Sequence, residues 1–451
     1  MRNVSTNNID KHHTVAMLTY RKSNIIAVLV LLITFISIND WSKIPLGNTA
    51  TTWAILIFTI IYILYYYRHY FKPLNRKDYN IVNIYLIWLL ICVIRGCFVA
   101  ENYWEWKQLI SGTISLLLPI LVWVFSDKIN TLITLNIWVR IALPAFFLFF
   151  LWTTGITIFY LAPILLLVCF VPLLSRRHKK WGIFLIIFIL VITVSNLGFR
   201  SQVIKGGIVI CMCIVCYCRK HITNNMIKLF HIFCFVLPVI LLYLGISGTF
   251  NIFEDLSAHK DKYVQKKVVD GHIIEEDLSA DTRTFIFEEV ITSAVRHNYV
   301  IWGRTPARGN DSMAFGAAQA EDLKTGKYER HSNELCHTNV FTWLGLIGVI
   351  LYSLIYLKSS YLAIYKSNNI YIKFLGCYIA FHWAFGWIED QNRFDIDNII
   401  LWMIIAMGIS TQFRVMTNHQ FYIWYNHIFN FKKKNHAHTL AVHQQRTIST
   451  R

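Results

Sequence analysis

Apolar stretches of about 16 to 22 residues recur along this 451-residue chain, with Lys and Arg gathered in the short segments between them. A helix rises about 1.5 Å per residue, so each stretch is about long enough to cross a hydrocarbon core of about 30 Å. Charged residues make up 15% of the chain, against about 25% for an ordinary globular domain. Disorder is excluded by that balance, and a soluble enzyme fits it poorly. The net charge of +18 would suit nucleic acid only if the basic residues shared one face or tail. They are dispersed between apolar blocks instead, where they fix orientation in a membrane. The chain therefore reads as an all-α polytopic membrane protein with no nucleic-acid partner.

The apolar pattern predicts about twelve spans, near 24–39, 50–67, 80–95, 108–126, 132–152, 156–174, 181–196, 202–218, 226–246, 339–357, 371–387 and 397–413. The first block follows a polar stretch and is long enough to remain as an anchor, so no cleavable signal is expected. Dense basic groups such as Arg68, Lys72, Arg76 and Lys77, then Arg176, Arg177, Lys179 and Lys180, and finally Lys432 to Lys434 fall on one side of that count. Cytoplasmic loops collect such residues, so both termini are expected inside. The expected organisation is a cytoplasmic segment 1–23, spans one to nine over 24–246, a large outer loop 247–338, spans ten to twelve over 339–413, and a cytoplasmic tail 414–451.

The long loop is unusual enough to suggest function. It holds an amphipathic helix candidate from about Asp281, with Phe285, Val290, Ile291, Ala294 and Val295 at helical spacing. A turn-rich run, Gly303 to Asp311, follows. Three outer side chains stand out: Arg200 beyond the seventh span, Arg283 at the opening of the loop helix and His337 just ahead of the tenth span. A guanidinium pairs with phosphate oxygens through a planar fork and stays charged. An imidazole can take a proton from a hydroxyl near neutral pH. Singly, each is more often a snorkelling anchor or a structural group.

Together, the twelve expected spans, the outer loop after the ninth, Arg200 beyond the seventh, Arg283 at the loop helix and the His337-to-Gly348 spacing resemble the O-antigen ligase and O-antigen polymerase superfamily. That family places a His before Asn, Ser or Gln, then nine residues, then Gly. Here Thr338 takes the second position and Asn339 comes one later. The resemblance implies a GT-C-like glycosyltransferase of the bacterial inner membrane, acting at the periplasmic face without metal or cofactor. It implies an undecaprenyl-diphosphate-linked glycan as donor, and lipid A core or a lipid-linked repeat unit as acceptor. Arg200 and Arg283 would bind the diphosphate and His337 would act as base. Arg304 and Arg308 are further diphosphate or glycan candidates without a family match.

The ten cysteines offer no outer-face pair, since only Cys336 lies near that region, and Cys211 to Cys218 lack zinc-site spacing. No nucleophile elbow, phosphate loop or His-Glu-x-x-His helix is present. The alternative is a flippase or transporter of lipid-linked oligosaccharides. It would be expected to carry charged or Gly/Pro-broken helices near mid-bilayer, whereas the polar residues here gather at the outer face.

Overall fold

The computed structural model describes residues 22–39, 42, 44, 46–153, 160–195, 200–246, 264–269, 272–277, 284–313, 315–322, 324 and 326–430. Most of these are helical. Six helices are long and apolar enough to cross a membrane: Thr49–His69, Arg76–Val99, Tyr103–Phe125, Lys128–Phe150, Asn224–Leu244 and Cys336–Tyr365. Four more apolar helices are shorter: Lys22–Ile36, Ser201–Tyr217, Ile370–Phe385 and Ile396–Ile409. The protein is thus an α-helical membrane protein.

Helix Ile396–Ile409 runs through the middle of the bundle. It is apolar all round, as a helix enclosed by others must be, and Trp402, Ile404 and Ile405 are fully enclosed. Helices Cys336–Tyr365 and Ile370–Phe385 pack against it and each other, and Tyr352 and Tyr356 meet Trp402 edge-on at 5.8 Å. At the end of the bundle away from the long loop, Arg414 donates to Asp78 at 2.5 Å and Asn369 binds the carbonyls of Phe413 and Met416.

Several expected spans take a different form. The block 156–174 contains a helix of only eight residues, Ala162–Cys169, all of them buried. Pro163 opens it and Pro172 falls in the following turn, and proline, lacking an amide hydrogen, confines a helix to the stretch between such positions. Eight residues rise about 12 Å, too little to cross a bilayer. In Lys128–Phe150 the helix widens to π-turns at Trp138–Ala142 and Phe146–Phe150, on either side of Pro144. A missing amide hydrogen at Pro144 is a sufficient cause.

The largest departure is inside Cys336–Tyr365, which is broken at Gly345, with φ 68° and ψ −170°. Only glycine adopts that conformation readily. Loop residues enter the break: the amides of Arg304 and Thr305 donate to Thr342 and Trp343 carbonyls at 2.7 and 3.1 Å, and Leu346 donates to Val300 at 2.9 Å. Gly303 and Gly345 face one another, and a Cβ on Gly345 would lie 2.2 Å from the Ile301 carbonyl oxygen. A broken helix within the bundle was expected of a transporter and not of this sequence; the paired glycines make it possible.

The loop carries further elements. Strands Val264–Val269 and His272–Asp277 pair antiparallel, and Asn310–Asp311 pairs with Glu329–Arg330. The amphipathic helix is Thr284–Arg296. Its buried face is Ile286, Val290, Ser293 and Ala294, while Ile291 and Val295 are exposed, so the apolar stripe is rotated from the expected one.

Candidate functional site

Helix Cys336–Tyr365 begins against the 386–397 segment that joins the last two apolar helices. The amide of Cys336 donates to the carbonyls of Gly386 and Glu389, and Asn392 donates back to the Cys336 carbonyl at 2.8 Å. The bonds from the Cys336 amide satisfy a donor that the first turn of a helix leaves unpaired, and together with the Asn392 bond they seat His337 beside the segment.

His337 is 2% exposed. Its Nε2 lies 3.0 Å from the Trp383 carbonyl oxygen. A carbonyl can only accept, so Nε2 carries the proton and Nδ1 keeps the lone pair. Nδ1 is buried without a hydrogen-bond partner among the described residues. Trp387 covers the imidazole with ring centroids 4.5 Å apart, and Trp383 and Tyr352 stand at 5.7 and 6.3 Å. An imidazole at the outer face would contribute little to packing; this one is part of the packed interior, so its truncation to alanine would open a cavity.

Sequence reasoning missed Lys205. It sits five residues into helix Arg200–Tyr217, in the run Ser201-Gln202-Val203-Ile204-Lys205, and a charge inside an apolar block was the available signal. The side chain is buried and its Nζ lies 2.8 Å from Asp397 and 3.7 Å from Glu389. Burial in company with Asp397 pushes the neighbouring Asp395 carboxyl up to about 7. His382 and Gln391 lie against the same segment, with Gln391 donating to the His382 carbonyl at 3.0 Å. Lys205 therefore ties helix Arg200–Tyr217 to the segment that seats His337.

Arg304 and Arg308 come together within the loop itself. Arg304 binds Asp311 at 3.1 Å, Glu329 at 3.0 Å and the Gly309 carbonyl at 2.8 Å; Arg308 makes a two-pronged pair with Glu329. Burial alone would raise both carboxyls, but hydrogen bonds from His297 and Arg304 to Asp311, and from Arg308 to Glu329, hold them below the usual carboxylate range. Lys327 meanwhile bridges Glu101 and Glu105. His331 donates toward Pro306, and burial lowers its imidazole to about 4, so it is neutral.

An open cleft of about 350 Å³ is lined by Arg95, Tyr299, Trp302, Arg304, Arg308 and His297, among others. Arg95 donates to the carbonyls of Trp302 and Gly303 at 2.7 and 3.2 Å, and no carboxylate pairs with it among the described residues. Arg304 and Arg308 reach the cleft already compensated; Arg95 brings the charge that is not. The Arg200 backbone opens its helix at this end, but its side chain, and all of Arg283, lie outside the described residues. No group of three or more metal-ligating side chains occurs among the described residues. All ten cysteines are free thiols.

No protein-family model, curated protein or solved structure matches this chain.

Proposed function

We propose that the protein is a bacterial inner-membrane glycosyltransferase that moves a glycan from undecaprenyl diphosphate to a sugar hydroxyl at the periplasmic face, as an O-antigen polymerase or ligase does. The observation that carries this reading is the cleft in which Arg95, Arg304 and Arg308 meet Tyr299 and Trp302 at the end of a membrane bundle. Arg95, which no carboxylate pairs among the described residues, brings the charge that suits the diphosphate, and aromatic faces suit sugar rings. Arg200 and Arg283 complete the phosphate grip in this scheme. His337, with its proton fixed on Nε2 by Trp383, offers Nδ1 to the attacking hydroxyl once Trp387 swings aside. Attack opposite the departing diphosphate inverts the anomeric centre, and the arginines offset the charge that develops on the leaving group. Neither metal nor cofactor is needed for that displacement.

Deleting the gene and measuring surface-glycan length and attachment tests the reading. Single repeat units point to a polymerase; bare lipid A core with accumulated lipid-linked polymer points to a ligase; unchanged surface glycan refutes both.

A second reading, transport of lipid-linked oligosaccharide across the bilayer, is favoured by two observations: the helix broken at Gly345 and the buried Lys205–Asp397 pair. Transporters use such features at their binding sites. Cleavage of the sugar–phosphate bond separates the two readings.

A further inference from the structure

Helices Lys22–Ile36 and Thr49–His69 leave a groove of about 680 Å³ between them, lined by Leu29, Leu32, Ala54, Ile55 and Phe58 and almost wholly apolar. One turn further along the same helices lies a second cavity of about 230 Å³, with Ser37, Thr52, Trp53, Ser111, Arg393 and Asp395 in its wall. The two share a stripe on each helix. Leu29, Leu32 and Ile36 succeed one another at three- and four-residue spacing, and Thr52, Ile55 and Phe58 at three-residue spacing.

The second cavity is chemically unlike the first. It offers a guanidinium, a carboxyl, several hydroxyls and an indole. Ser37 is engaged, accepting the Ile396 amide at 2.9 Å and donating to the Ile33 carbonyl. The side chains of Thr52, Trp53 and Ser111 make no hydrogen bond among the described residues. Arg393 pairs with Asp390 at 3.4 Å, and Asp395 stands beside it on the cavity wall. With a carboxyl matching the guanidinium, the cavity has no marked excess of positive charge to select a phosphate. A neutral group rich in hydroxyls suits paired donors and acceptors beside an aromatic face.

We propose that these two cavities together form a binding site for a lipid-anchored saccharide, its hydrocarbon chain in the groove between helices 22–36 and 49–69 and its sugar in the polar cavity at Trp53, Ser111 and Arg393. The binding itself stands apart from catalysis. Its role as the acceptor site rests on the glycan-transfer reading above. In that reading donor and acceptor approach neighbouring faces of helix Tyr103–Leu116: Gly112 packs on Pro306 beside the donor cleft, while Ser111 and Ser115 line the polar cavity.

The test uses the full chain in phosphatidylethanolamine nanodiscs and a dodecyl maltoside that carries a photoreactive diazirine in its alkyl chain, with labelled positions mapped by mass spectrometry. Labelling concentrated on helices 22–36 and 49–69, competed by unlabelled dodecyl maltoside and not by phosphatidylglycerol, supports the site. Two variants then locate it: Ala54→Phe fills the groove and Ser111→Trp fills the sugar cavity, and each should lose most of the labelling while thermal unfolding is unchanged. Because Ala54 faces the bilayer, its variant folds even if Ser111→Trp does not. Labelling spread evenly over all lipid-facing helices, equal competition by phosphatidylglycerol, or full labelling of the Ala54→Phe variant overturns the proposal. The readout is binding alone, so it can fail while glycan transfer is observed, and transfer can fail while binding is observed.

Discussion

Lys205 gives the sharpest quantitative test of how this bundle is held. Its ammonium is 2.8 Å from Asp397 and 3.7 Å from Glu389, with all three side chains largely withdrawn from solvent. At an effective dielectric constant of about 20, the attraction to Asp397 is about 6 kcal/mol and that to Glu389 about 4.5 kcal/mol. Repulsion between the carboxylates and the cost of stripping water from all three oppose this. Replacing Lys205 with Met leaves the acids buried without their cation, a change that costs about 3–5 kcal/mol in comparable buried pairs. The double variant Lys205→Met with Asp397→Leu removes charge from both sides and should recover most of that loss. Thermal unfolding of the detergent-solubilised protein, followed by intrinsic tryptophan fluorescence, reads both. An unchanged Lys205→Met variant, or a double variant no better than the single, refutes the assignment of Lys205 as the tie between helix Arg200–Tyr217 and the 386–397 segment.

Gly345→Ala should destabilise the protein by at least about 1–3 kcal/mol from backbone strain alone, with the Ile301 contact adding to it; unchanged thermal stability would show that the helix is not broken there. Acidification should loosen the Arg304–Asp311–Glu329 cluster. Both carboxyls are depressed in the folded state, so their contribution is complete above the ordinary carboxylate values and fades as pH falls through the lowered ones. Protection factors of the backbone amides in the 304–330 segment, taken against the intrinsic exchange rate at each pH, should therefore hold steady from neutral pH down to about 4.5 and fall below it; protection lost already near pH 6 would contradict depressed carboxyls. Arg200→Lys and Arg283→Lys should each lose much of the glycan transfer, because a point charge does not replace a planar fork; full activity in both would remove them from the phosphate grip.

Much of the helical framework was legible because apolar run length maps directly onto helix length. Thr49–His69, Asn80–Val99 and Asn224–Ile246 lie within a few residues of the expected 50–67, 80–95 and 226–246. What run length hides is interruption. The 156–174 block is apolar throughout, yet Pro163 and Pro172 restrict its helix to eight residues. The break at Gly345 depends on Gly303, some forty residues upstream, fitting against it, and no local pattern records such a pairing. At the site, His337 was found by its place at the head of a span, but its burial under Trp387 depends on a segment fifty residues away. Arg95 and Lys205 went unremarked as candidates for the same reason: a cation inside or beside an apolar helix acquires meaning from the carbonyls and carboxylates that the fold brings to it.

The central claim is bond cleavage at a lipid diphosphate. It is tested most directly by reconstituting the protein in liposomes with an undecaprenyl-diphosphate-linked oligosaccharide and an acceptor glycolipid, and measuring release of free undecaprenyl diphosphate. Release should persist in EDTA and be lost in His337→Gln, whose side-chain amide can still donate to Trp383 but offers no base. Absence of release, release undiminished in His337→Gln, or passage of the intact lipid-linked sugar across the bilayer without cleavage would contradict it.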